Sequence, residues 1–290
     1  MNLQKVRECR RNCFFNHFLC KRLNMEKIKK YDGGESGMVY FVGAGPGAVD
    51  LITVRGKNLI EKADVIIYAG SLVNPELLNY AKEECTKINS AYLTLEEIIT
   101  LIKDAEEKGK MTVRLHTGEP SLYGAIREQM DELSLLGIGY ESVPGVSACF
   151  GAASSLNLEY TLPGISQTLI ITRMEGKTAV PEAESIESLS THKASMAVYL
   201  SAGMTEKLQE KLLAGGYEKD TPAAIVYKAT WPEEEKYPCT VGTLHATAVK
   251  HGITKIAVIL IGDAVSQGKY EKSRLYAADF STEYRKAEQI

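Results

Sequence analysis

The chain reads as an α/β fold: two open α/β domains in series, a parallel-rich first sheet and a mixed second sheet, with a cleft between them. Three observations predict it. From Met38 onward, short runs rich in Val, Ile and Tyr alternate with segments of helical period, as in chains of β-α units. Three early runs end in the turns Gly43-Ala44-Gly45-Pro46-Gly47, His116-Thr117-Gly118-Glu119-Pro120 and Pro144-Gly145-Val146-Ser147-Ala148. A parallel sheet gathers such carboxyl ends at one edge, where clefts form. Finally, Leu162-Pro163-Gly164 interrupts the alternation, which then resumes, so it marks a domain boundary.

The elements follow in order. In the first domain, residues 38–161, Val39–Val42, Val65–Tyr68, Thr112–His116 and Tyr140–Val143 read as strands. Helices are expected over Val54–Ala63, capped by Thr53, and over Glu76–Ala81, Leu95–Glu107, Leu122–Leu136 and Val146–Leu156. Leu95, Ile98, Ile99, Ile102 and Ala105 recur at helical spacing, as do Ile126, Met130, Leu133 and Leu136, so both helices lay one face on the sheet. In the second domain, residues 165–280, strands are expected at Thr168–Thr172, Ala197–Leu200, Ala223–Tyr227 and Ile256–Ile261, with an antiparallel strand from Lys236 to Val241. Helices fall near Glu184–Ser190, Thr205–Ala214 and Thr243–His251, and Leu275–Ala277 is expected to add an edge.

Composition narrows the function. A net charge of −3 over 290 residues supplies no field for nucleic acid or an anionic membrane. No apolar run approaches the roughly 18 residues of a spanning helix. Six cysteines, three of them in the first 20 residues, do not make a disulfide framework in a chain this long. A soluble protein of the reducing cytoplasm is expected. Residues 1–37 form a basic extension, expected to be disordered, whose Cys9, Cys13, His17 and Cys20 match no usual zinc spacing. No metal site is expected.

The turns carry the candidate chemistry. Gly43, Gly45 and Ala48 satisfy the dinucleotide pattern G-x-G-x-x-A, but Pro46 removes a donor and no helix begins at the turn. The second strand ends in Ala69-Gly70-Ser71, without the acid that a ribose needs. A nucleotide-dependent oxidoreductase therefore stays only as an alternative. Around the second turn, Arg114, His116, Thr117, Glu119, Ser121 and Tyr123 crowd one strand end. Ser121 is read either as a ligand group or as the cap of the helix from Leu122, and His116 as a structural histidine or a catalyst. At the third turn the first N–H groups of the following helix are free to meet an anion or a carboxylate, or Ser147 only caps that helix. In the second half, Thr172-Arg173-Met174-Glu175-Gly176-Lys177-Thr178 and Tyr227-Lys228-Ala229-Thr230-Trp231-Pro232 put cations on irregular backbone, suited to an acidic organic ligand or simply to solvent. Trp231 is either core or a platform for a flat ring.

Together these segments resemble the tetrapyrrole methylase family, the class III S-adenosylmethionine-dependent methyltransferases, from about Met38 to Asp263. The matching stretches are Val42 to Gly47 with Asp50 to Gly56, Thr117 to Gly124, and Val143 to Ala148. Tyr68 to Val73, His116 to Gly118, Thr172-Arg173 with Glu175-Gly176, and the Tyr227 to Pro232 run look like the branch that methylates carbon 11 of precorrin-4 or cobalt-precorrin-4 in cobalamin synthesis. Glu119 stands where the family usually has aspartate.

The resemblance implies S-adenosylmethionine folded between the domains, held by Gly45, Pro46, Thr117, Gly118, Glu119, Leu122, Ser147, Ala148, Leu200 and Ala224. It also implies cations for the carboxylates of the macrocycle: Arg173 and Lys228 first, then Arg114, Arg127 and Lys177. No catalytic residue is identified, and Asp50, His116 and Tyr123 are the candidates for handling a proton. A homodimer is expected, as is usual in the family. A sibling enzyme acting on another ring carbon is the nearest alternative.

Overall fold

Five short strands, β1 (Val39–Gly43), β2 (Val65–Tyr68), β3 (Thr86–Asn89), β4 (Thr112–His116) and β5 (Tyr140–Val143), form an all-parallel sheet in the order β3-β2-β4-β1-β5. The computed structural model describes residues 37–266, 268 and 270–287. The basic extension and its cysteines lie outside them.

The central strands are apolar on both faces because helices cover both. Tyr40, Val42, Val113 and Leu115 pack with Leu59 and Ile60 of α1 (Val54–Lys62), while Val39, Phe41 and Ile67 pack with Ile98 and Ile102 of α2 (Leu95–Glu106) and Leu133 of α3 (Ile126–Leu136). The Thr53 side chain accepts from Gly56 N at the start of α1, and Thr94 with Glu97 forms a reciprocal capping box on α2.

The second sheet holds β6 (Leu169–Arg173), β7 (Ser195–Tyr199), β8 (Pro222–Tyr227), β9 (Glu235–Thr240) and β10 (Ala257–Ile261) in the order β6-β7-β10-β8-β9. Only β6 and β7 run parallel; the other three pairings are antiparallel. Between the sheets comes α4 (Ala148–Ser155), whose Cys149, Ala152 and Ala153 bury against Ala197, Val226, Val258 and Leu260 of the second sheet. The helix after β5 thus joins the two lobes through a shared core. The opposite face is covered by α5 (Ile186–Ser190), α6 (Thr205–Ala214) and α7 (Leu244–Lys250), through Ile186, Leu208, Leu212 and Leu244.

Several elements differ from the sequence reading. Strand β3 has no counterpart in the sequence reading, and in place of the helix expected over Glu76–Ala81 stands a 3-10 turn, Pro75–Tyr80, begun by the Asn74 side chain. Helix α3 starts at Ile126 rather than Leu122, because Tyr123 and Ala125 both take positive φ. Between them a Cβ on Gly124 would stand 2.2 Å from Pro120 O, so this tight turn excludes a helix and Ser121 does not cap one. Helix α4 begins at Ala148, two residues later than expected. Leu275 is in a 3-10 turn, not a sheet edge: Arg285 Nη2 donates to Leu275 O and Ala277 O, which a ladder would have needed.

Candidate active site between the two sheets

The three glycine turns close on one another at the carboxyl ends of the adjacent strands β4, β1 and β5. Gly45 and Gly118 exchange backbone hydrogen bonds of 3.3 and 2.9 Å. A Cβ on Gly145 would lie 2.1 Å from Gly118 O and 2.7 Å from Gly43 Cα, so glycine is needed for this approach. Glu119 fastens the knot: Oε2 accepts from Gly145 N at 2.8 Å and Oε1 from Ser121 N at 2.9 Å. Partial burial would raise this carboxyl, but those amides and the Ser121 side chain hold it below the usual carboxylate range.

The second lobe clamps the first turn. Trp231 Nε1 donates to Pro46 O at 3.0 Å, and Thr230 Oγ1 accepts from Ala48 N at 3.0 Å. The indole lies so close over Gly47 that a Cβ there would be 2.1 Å from Trp231 Cδ1, and Pro46 and Thr230 meet Gly151 of α4 in the same way. Asn74, buried, donates to Gly47 O at 2.9 Å from the other side. Glu234 completes the junction by accepting from Thr230 N and from Ser155 Oγ at the end of α4. Trp231 is therefore a staple between lobes, not an open platform.

The end of β7 meets the third turn directly. The Tyr199 hydroxyl bonds Ser147 Oγ at 2.7 Å and accepts from Cys149 N at 2.6 Å. Leu200 follows with φ +54° and a side chain 66% exposed. This unusual conformation is braced by buried Ser201, whose Oγ donates to Tyr199 O and accepts from Met174 N. The ring of Tyr123 packs on that of Tyr199 with centroids 5.8 Å apart. Burial pushes the Tyr123 phenol up, with the charge of Arg173 opposing and that of Glu184 adding.

The other expected site residues divide by position. Thr117 is exposed, Leu122 and Ala148 are half-buried, and Gly45, Pro46, Gly118 and Ser147 are buried within the junction. Ala224 is buried in β8 on the side of the sheet that faces α4, and is not open to the trough. Arg173 ends β6 beside Tyr199, where its guanidinium donates to Met174 O, Thr178 O and Ala179 O. It shapes the loop bearing exposed Lys177. Lys228, at φ +45°, pairs with Glu233 at 3.5 Å and lies 5.4 Å from the Trp231 ring centre. Asp50 is exposed on the 3-10 turn Val49–Leu51.

Two expected cations are not at the trough. Arg114 is buried, donating to Gln129 Oε1 and Ile67 O, both at 3.0 Å. Burial pushes it down to about 10, and its work is to tie β4 and β2 to α3. Gln129 Nε2 in turn donates to Ala125 O, which holds the left-handed turn before the helix. Arg127 lies on the exposed face of α3, paired with Asp131 one turn on. His116 stacks on Phe41 beneath the knot, with Nε2 buried and unpartnered. Burial, with Arg114 nearby, pushes its pKa down to about 3, so it stays neutral and does not serve as a base near pH 7.

A cavity of about 260 Å³ opens beyond Arg173, lined by Met174, Glu182, Glu187 and Lys211 among others. Its lysine is already committed, since Lys211 bridges Glu187 and Glu175. The ligand-type loops converge at the three turns and the end of β7 rather than at this cavity.

Comparison with known proteins agrees with this geometry. The family model of tetrapyrrole (corrin/porphyrin) methylases matches residues 38–245. The chain belongs to the tetrapyrrole methylase family. Among the relatives of this methylase is a cobalt-precorrin-4 C(11)-methyltransferase of Methanocaldococcus jannaschii, 49% identical over 86% of this chain and 96% of the relative. A precorrin-4 C(11)-methyltransferase of Pseudomonas aeruginosa is 42% identical over 86% and 99%. The solved structure of a cobalt precorrin-4 methyltransferase of cobalamin biosynthesis superposes with a TM-score of 0.77 at 44% identity, covering 79% of this chain and 95% of that one.

Sequence reasoning missed Tyr199 and Asn74 of the junction, and Gln129 behind it. Gln129 carried a signal: a polar residue within the apolar stripe of Ile126, Met130 and Leu133 implies a buried polar partner. Tyr199 and Asn74 carried none, because their partners lie 50 and 27 residues away in the chain.

Proposed function

We propose that this methylase transfers a methyl group from S-adenosylmethionine to carbon 11 of precorrin-4 or its cobalt complex, a step in the assembly of cobalamin. The observation that carries the reading is the knot of three glycine turns, joined to the second lobe at Tyr199 beside the exposed Leu200. S-adenosylmethionine supplies a methyl group already activated on a sulfonium, so this chain's residues are left with binding, alignment and exclusion of water.

The residues fit that task. Turn backbone and small or apolar side chains (Pro46, Thr117, Gly118, Leu122, Ser147, Ala148, Leu200) form the walls. The carboxylate of Glu119 is already engaged by two amides, which blunts its attraction for a cation whose charge is lost on transfer. A strong free anion there would favour the ground state over the transition state. Arg173, Lys177 and Lys228 stand on second-lobe loops and would orient the acidic substrate. With His116 neutral and buried, and the Tyr123 phenol pushed up, Asp50 is the proposed acceptor for a proton leaving the ring.

The test is incubation with cobalt-precorrin-4 and ¹³C-methyl donor, followed by NMR of the product. Label at carbon 11 is expected. Label at another carbon would assign a sibling reaction, and no transfer to any precorrin would reject the proposal.

A further inference from the structure

Helix α4 has an N-cap whose natural residue does not cap. Ser147 has the extended N-cap backbone, φ −71° and ψ 149°, yet its side chain accepts no amide of its own helix. An N-cap serine ordinarily accepts from the amide two or three residues on. Here the hydroxyl of Tyr199, 50 residues away on the other lobe, accepts from Cys149 N and also engages Ser147 Oγ. We propose that Tyr199 is a positioning residue: it caps α4 from the second lobe and thereby holds Ser147 and Ala148 in the form that receives the methyl donor.

Hydrogen-bond accounting supports this. The first amides of a helix have no partner within it, and a serine free to rotate would cover one of them. By taking Cys149 N and holding Ser147 Oγ, the phenol keeps the serine from folding back. When it donates its own hydrogen to Ser147 Oγ, the serine hydrogen is left to donate elsewhere. The same strand end sets Leu200 in its left-handed, exposed position and supports the Tyr123 ring. One hydroxyl thus registers the first-lobe helix against the second-lobe wall.

The proposal rests on the assignment of this trough to S-adenosylmethionine, and the experiment separates the two. Tyr199→Phe removes only the hydroxyl, and Tyr160→Phe is its control. The Tyr160 hydroxyl is also buried and donates to the carbonyl of the same residue, Cys149, at 2.6 Å, but it reaches no part of the trough turns.

Dissociation constants for S-adenosylhomocysteine are measured by titration calorimetry for wild type and both variants, with thermal midpoints and with KM for donor and tetrapyrrole separately. Tyr199→Phe is expected to weaken binding about tenfold, roughly 1.4 kcal/mol, and to raise donor KM in step while tetrapyrrole KM holds. Its midpoint stays within about 3 °C of wild type, because Ser147 recovers the cap. Tyr160→Phe is expected to lower the midpoint and leave binding within twofold. Unchanged binding in Tyr199→Phe, equal weakening in Tyr160→Phe, or failure of Tyr199→Phe to fold would each overturn the positioning role. Wild type that binds no S-adenosylhomocysteine would instead overturn the cofactor assignment.

Discussion

Replacing Gly47 by alanine tests the staple between the lobes. The added Cβ would stand 2.1 Å from Trp231 Cδ1 and 2.5 Å from Nε1, so the indole or the turn must move. Overpacking a well-filled site costs about 1–3 kcal/mol. If the indole moves, its bond to Pro46 O, 3.0 Å long, goes too, for about 1 kcal/mol more. The total, about 2–4 kcal/mol, lowers the thermal midpoint by roughly 3–7 °C for a protein of this size. The chain holds one tryptophan, so tryptophan emission, excited selectively beyond the tyrosine absorption, reports this junction alone. Gly47→Ala is expected to shift Trp231 emission to the red in the native state and to bring the unfolding midpoint down. Adding Trp231→Ala removes the ring atoms that the new Cβ strikes, so the two changes together should cost less than their sum. A Gly47→Ala protein with native emission and a midpoint within 1 °C of wild type would refute the reasoning.

Other outcomes follow from the site. Lys228→Ala is expected to raise tetrapyrrole KM about tenfold and leave donor KM unchanged; Arg173→Ala should do the same and also loosen residues 174–179, seen as faster amide exchange. His116→Phe removes a buried nitrogen without a partner. Because the folded pKa is near 3 against about 6.5 unfolded, the wild-type histidine costs stability as pH falls below 6.5, about 2 kcal/mol by pH 5. Urea titrations of His116→Phe should lack that acid loss between pH 6.5 and 5. Glu119 has the opposite sign. Its lowered folded pKa contributes stability above the carboxylate range that disappears as pH falls through it, so Glu119→Gln should be less stable than wild type at pH 7 and converge with it near pH 3.

The sequence made visible what local pattern encodes. Most of the strands announce themselves as apolar runs, although β9 reads Glu-Lys-Tyr-Pro-Cys-Thr, and the glycines of the three turns mark where backbone must meet backbone. Strand β3 reads Thr-Lys-Ile-Asn with an exposed first half, too polar and short to stand out from a loop. The turn before α3 was hidden because Tyr123 and Ala125 adopt left-handed backbone without being glycine or asparagine, a choice imposed by Gln129 and Pro120 rather than by propensity. Arg114 looked like a ligand because charge near a strand end usually serves one. Its burial depends on Ile67 and Gln129, which are distant in sequence. The clamp of Trp231 on Pro46 spans 185 residues and belongs to tertiary structure alone.

The central claim is that the trough between the sheets holds the methyl donor against the three glycine turns, and a crystal grown with S-adenosylhomocysteine tests it most directly. Density for the nucleoside is expected between the Gly45–Gly118 bridge, the start of α4 and Leu200. A complex with the nucleoside bound anywhere else, or with the trough filled by protein side chains alone, would contradict the account.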